Sequence, residues 1–132
     1  MKALDTNILV RFLTSDDPAA YKRVAQLLES AEQRNESFRL TTLVLLELMW
    51  VLKARYRLTR DEILEAIEKL LRMPVVTFES PECTSALILR GRSTSLDLAD
   101  ILIGLNARQQ GCETIHTLDK KAAQSELFEE IP

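Results

Sequence analysis

The chain has 132 residues, 46% of them apolar and 28% charged, with a net charge of −3. That is enough for one domain with a core of its own and too little for two comfortable ones. The acidic balance excludes a nucleic-acid binder that relies on overall positive charge, and three glycines, four prolines and no repeat or low-complexity segment exclude long flexible linkers.

Met1-Lys2-Ala3-Leu4-Asp5 reads as a short buried strand ending in a carboxylate. Thr6 and Asn7 favour a helix start, and Ile8-Leu9-Val10 carries the helix on. Asp5 and Arg11 interrupt this apolar stretch, so no signal peptide is expected. Asp16-Asp17-Pro18 opens a helix with Asp17 as cap and Pro18 in the first turn. Val24, Leu27, Leu28 and Ala31 follow at helical spacing. Phe38-Arg39-Leu40-Thr41 predicts a second strand, and Thr42 a cap for the next helix.

That helix, residues 43–56, is apolar nearly all round, which predicts burial. Its length is well short of the ~20 apolar residues a membrane span requires. Glu47 sits in it one turn from Leu43, Trp50 and Val51, so its carboxylate is expected to be buried. Thr59-Arg60-Asp61-Glu62 is a capping-box pattern, followed by the stripe Ile63, Leu64, Ile67, Leu70 and Leu71. Met73-Pro74 ends that helix, and Val75 to Phe78 predicts a third strand. Ser80-Pro81 starts a helix running to about Gly91.

Ser95 opens a further helix in which Leu98, Ile101, Leu102 and Leu105 form one apolar stripe. Asp97 and Asp100 share a neighbouring face near its start. Gly104, one turn on, is expected to leave room beside Asp100, and Gly111 to end the helix. Thr114 to Thr117 predicts a fourth strand, with Asp119 just past it, and Leu127-Phe128 a short fifth. Cys83 and Cys112 show neither disulfide-framework nor zinc-site spacing and fit a reducing cytoplasm. His116, the only histidine, lies inside a predicted strand and reads as structural.

Alternating strands and helices predict an α/β fold: a central parallel sheet of four to five strands with helices on both faces, as a single domain over residues 1–132. In such a sheet Asp5 and Asp119 lie at one carboxyl edge, where open α/β folds bind ligands. Glu47, Asp97 and Asp100 lie in the first turns of helices that start from the same edge. Two unit charges about 4 Å apart repel by roughly 4 kcal/mol at an effective dielectric of 20. Several such pairs would rival a domain's whole stability of about 5–15 kcal/mol. A divalent cation relieves the cluster, and an oxygen-only donor set favours Mg²⁺ or Mn²⁺ over zinc. Bound to a phosphate, such an ion suits phosphodiester hydrolysis. Asp100 is favoured as a ligand over Asp97, which is left open because a cap explains it as well.

The segments Leu4-Asp5-Thr6-Asn7-Ile8-Leu9, Thr41 to Glu47, Asp97 to Ile103 and Thr117-Leu118-Asp119 resemble, in order and spacing, the PIN-domain family of small metal-dependent ribonucleases. More closely they resemble the VapC-type toxins of toxin–antitoxin pairs. The resemblance implies a Mg²⁺ or Mn²⁺ site made by Asp5, Glu47, Asp100 and Asp119, an RNA substrate, a homodimer and a cognate antitoxin. Thr117 is a candidate to support the shell. Lys53, Arg55, Arg57 and Arg60, with Arg90, Arg92, Lys120 and Lys121, are candidates to hold RNA phosphates. Three rivals remain: a PIN-like RNA-processing nuclease that is not a toxin, a phosphoacceptor receiver domain, and a non-enzymatic interaction module with a degenerate site. The receiver would need an acidic pair at its first strand end, where this chain has Asp5 alone.

Overall fold

A computed structural model describes residues 1–132. It is an α/β structure with five strands, all paired in parallel, and six α-helices. The chain divides into two compact units, Met1–Pro81 and Glu82–Pro132.

The first unit holds β1 (Lys2–Ala3), α1 (Thr6–Thr14), α2 (Pro18–Gln33), β2 (Phe38–Leu40), α3 (Thr42–Ala54), α4 (Arg60–Leu71) and β3 (Val76–Phe78). Its sheet has the order β1-β2-β3. The central strand alternates, with Phe38 and Leu40 buried and Arg39 between them. The expectation that the first strand is buried fails for β1. It is two residues long and lies at the sheet edge, with Lys2 and Ala3 exposed and only Leu4, just beyond, in the core.

Local signals set the helix starts. Asp17 caps α2 with Pro18 behind it. Thr41, one residue earlier than expected, caps α3 by accepting the Val44 N–H. The capping box of α4 is complete, Thr59 Oγ1 accepting from Glu62 N at 3.2 Å and Glu62 Oε1 from Thr59 N at 2.8 Å. Behind it Ile63, Leu64, Ile67 and Leu70 are buried. Thr59→Ala removes one arm of the box, and thermal unfolding should show a loss of about 1 kcal/mol. Asp16, just ahead of the Asp17 cap, is a junction: it accepts from Arg11, Thr14 and the Tyr56 hydroxyl.

The second unit holds α5 (Pro81–Ser93, its first residue belonging to the first unit), α6 (Leu98–Gln109), β4 (Ile115–Thr117), a 3-10 turn at Ala122–Gln124 and β5 (Phe128–Glu130). Strands β4 and β5 pair only with each other. The expected five strands are therefore divided three and two. On α6, Leu98, Ile101, Leu102 and Leu105 are buried as the stripe predicts. Gly111 ends it with φ +92°. Cys83 is buried, with its Sγ near the Leu105 carbonyl and the Gln109 amide oxygen, while Cys112 is exposed. His116 is exposed on β4. No helix is long and apolar enough to cross a membrane.

Candidate metal centre

In the first unit, Asp5 follows β1 and is the N-cap of α1, its Oδ1 accepting the Thr6 N–H at 2.8 Å. The carboxylate is exposed, and a capping Asp uses one oxygen and leaves the other available. Beside it, Thr6 Oγ1 is buried without a hydrogen-bond partner. A buried hydroxyl normally finds one. This orphan, which sequence reading missed, fits a site that takes a water or another oxygen ligand.

Glu47 does not have the expected burial. Helix α3 buries Leu45, Leu48, Met49 and Leu52 and turns the opposite face outward. Glu47 is exposed on that face together with Leu43 (79% exposed) and Trp50 (61%). An apolar composition all round the helix does not reveal which face is covered. The desolvation penalty that singled out Glu47 therefore does not apply to it here. A further acid, Glu79 after β3, accepts the Thr42 N–H and so helps satisfy the start of α3.

The second unit brings Asp97, Asp100 and Asp119 together. Asp97 is the N-cap of α6, its Oδ1 accepting from Ala99 N at 2.8 Å, as the capping explanation anticipated. Asp100 lies in the first turn and is partly buried. Asp119 stands two residues past β4. Its own N–H donates to Thr117 Oγ1, and its Oδ1 accepts from Lys121 N and Ala122 N. Thr117 thus orders the acidic turn. The Asp100 carboxyl is held above the usual carboxylate range, first by burial and then by the negative charges of Asp97 and Asp119. Neither Asp100 nor Asp119 has a basic side chain in a salt bridge with it.

The space at Gly104 is taken by Leu127. A Cβ there would stand 2.8 Å from Leu127 Cβ, so the missing side chain is what lets α6 pack against Leu127. The basic run from Lys53 to Arg60 is also not one helical face. Helix α3 ends at Ala54 and Arg57 is left-handed, with φ 53°.

The donors fit a hard divalent ion in kind. They are oxygens, and the mutual repulsion around Asp100 is what such an ion relieves. Their spacing is looser than ligation demands: within neither unit is a group of three or more His, Cys, Asp or Glu side chains arranged to hold a metal ion.

The chain is an α/β protein with carboxylates just past β1 and β4 and at the start of α6. The PIN domain family model matches residues 2–126, and the chain belongs to that family. It is also similar to a VapC ribonuclease of Aquifex aeolicus (strain VF5), at 25% identity over 122 residues, covering 92% of this chain and 89% of that protein. No solved structure matches it.

Proposed function

We propose that the protein is a metal-dependent endoribonuclease hydrolysing RNA phosphodiester bonds, and the toxin of a VapBC-type pair. The observation that carries this is a partly buried Asp100 with the Asp97 and Asp119 carboxylates near it, in a chain of the PIN family. The similarity to a VapC ribonuclease supports RNA as the substrate. In this reading Asp5, Glu47, Asp100 and Asp119 hold one or more Mg²⁺ or Mn²⁺ ions, and residues 1–132 work as a single domain. The bound metal supplies positive charge for a phosphate oxygen and lowers the pKa of the attacking water.

The chain's own contribution is positioning. Asp100 and Asp119 keep carboxylate oxygens free of basic partners. Thr117 fixes the Asp119 turn, and the Thr6 hydroxyl offers a hydrogen bond next to Asp5. A cognate antitoxin and a homodimer, as the family resemblance implies, and a cytoplasmic location, as the cysteine spacing suggests, complete the proposal.

The test is RNA cleavage by the purified chain with Mn²⁺ and with EDTA. Activity is expected only with the metal, and Asp5→Asn should lower it by at least about a hundredfold. Cleavage surviving both EDTA and Asp5→Asn would rule the metal mechanism out. Growth arrest on expression, reversed by co-expressing a small neighbouring reading frame, tests the toxin role.

The loose spacing of the acids favours one alternative, an interaction module with a degenerate site. Calorimetric titration separates the two, because absence of Mg²⁺ or Mn²⁺ binding in the millimolar range would support the module.

A further inference from the structure

The second unit contains a groove of about 520 Å³ that the acidic cluster does not use. That volume lies within the range of small-ligand sites. Leu96, Ile101 and Leu127, none more than 8% exposed, contribute apolar surface to its lining. Its one acid, Glu126, is occupied: Arg90 reaches it at 2.6 Å and Arg108 at 3.6 Å. Arg90 and Lys121 then leave the lining net positive, in a chain whose net charge is −3.

Several polar groups of the lining are already satisfied. The Ser93 and Thr94 hydroxyls donate to backbone carbonyls of α5, and Ser125 Oγ accepts the Leu127 N–H. The Ser95 hydroxyl, the Lys121 ammonium and the Gln124 amide have no partner within the protein. The groove also adjoins the acids along the chain: Ser95 is two residues before Asp97, and Lys121 two residues after Asp119.

We infer that this groove binds one nucleotide of an RNA strand, beside the phosphate offered to the acids. An apolar lining with a free amide suits a nucleobase, whose face takes apolar contact and whose edge both donates and accepts. The Lys121 ammonium suits a backbone phosphate. A simple anion would leave the apolar part of the lining uncovered, and a purely apolar ligand would make no use of Lys121. The inference rests on the nuclease reading for its substrate, so its test is run without catalysis first.

Lys121 and Gln124 are exposed, so Lys121→Ala and Gln124→Ala should fold, with thermal midpoints as the check. The full chain is titrated in EDTA with the common nucleoside 5′-monophosphates and with a labelled single-stranded RNA of about ten nucleotides. The monophosphates are expected to shift the amide resonances of Ser95, Gln124 and Leu127. Each variant should bind the RNA about 3–10-fold more weakly. Lys121→Ala should also lower the slope of log affinity against log salt by about 1, and Lys121→Arg should restore it. In the Mn²⁺ cleavage assay the loss should appear in KM. If the wild type cleaves RNA but monophosphates move none of these resonances and both variants bind RNA normally, the groove proposal is overturned and the nuclease reading stands. If monophosphates bind the groove and the wild type cleaves nothing, the nuclease reading falls and the nucleotide site stands.

Discussion

Asp100→Asn is expected to raise the thermal midpoint of the metal-free protein near neutral pH while abolishing metal-dependent RNA cleavage. The two effects share one cause. The Asp100 carboxyl is held above its ordinary value of 3.8 by burial, Asp97 and Asp119. Between that value and the raised one, the folded state binds more protons than the unfolded state. Stability therefore falls as pH rises through this window and stays lowered above it. Asn carries no charge and escapes the penalty. The gain should be fully present near neutral pH and should vanish below about pH 3.8. A rise of about 1–3 °C is a reasonable size for a partly exposed group.

Adding Mn²⁺ reverses the order of the two proteins. At about 100 times its dissociation constant an ion stabilises the wild type by about 2.7 kcal/mol, whereas the variant lacks a ligand and gains less. Cleavage should drop by at least about a hundredfold. A variant that melts no higher than wild type without metal would show that the repulsion around Asp100 is not a net cost.

Gly104→Ala should destabilise the protein by up to about 2 kcal/mol, although alanine is the better helix former. Propensity alone would favour the substitution by about 1 kcal/mol. Against it stands Leu127, whose Cβ, Cγ and Cδ1 lie 2.8, 3.2 and 3.0 Å from the new methyl. The closest of these atoms is fixed to the backbone and cannot rotate away. Overpacking of this kind typically costs about 1–3 kcal/mol, and here it must exceed the propensity gain. Because Leu127→Ala keeps the closest atom, it should rescue Gly104→Ala only in part. Chemical denaturation of the two single variants and the double variant measures this directly. A Gly104→Ala protein more stable than wild type would mean that Leu127 shifts freely.

Much of the fold is legible in the sequence because its signals are local. The Asp17-Pro18 start, the Thr59–Glu62 capping box and the stripe from Leu98 to Leu105 each predict an element that the structure contains. What was not legible depends on partners distant in the chain. Short runs such as Ile115–Thr117 and Phe128–Glu130 do not announce whether they will join a larger sheet or pair privately, and they pair privately. Glu47 was expected inside because its helix is greasy all round, yet only tertiary packing decides which side of α3 is covered. The pattern around Gly104 points to space near a carboxylate, and the neighbour that fills it is Leu127, a residue no local pattern connects to it.

The acids themselves were easier to pick out than their surroundings. Asp5, Asp97 and Asp119 each follow a strand or precede a helix, so capping and ligand roles predict the same residue type at the same position. The structure shows all three accepting backbone N–H groups. Asp100 is distinguished by its partial burial and by the charges of Asp97 and Asp119 near it, which become visible only in the folded chain.

The contrast between the two thiols has a practical use. Cys83 is shielded, and Cys112 lies in the open just past the end of α6. A maleimide fluorophore should therefore attach selectively to Cys112 in the unaltered protein. The twelve residues of α6 span about 18 Å, with Asp97 and Asp100 at the other end. Energy transfer to that dye from a donor on an RNA terminus would time the docking of a strand on the unmutated molecule.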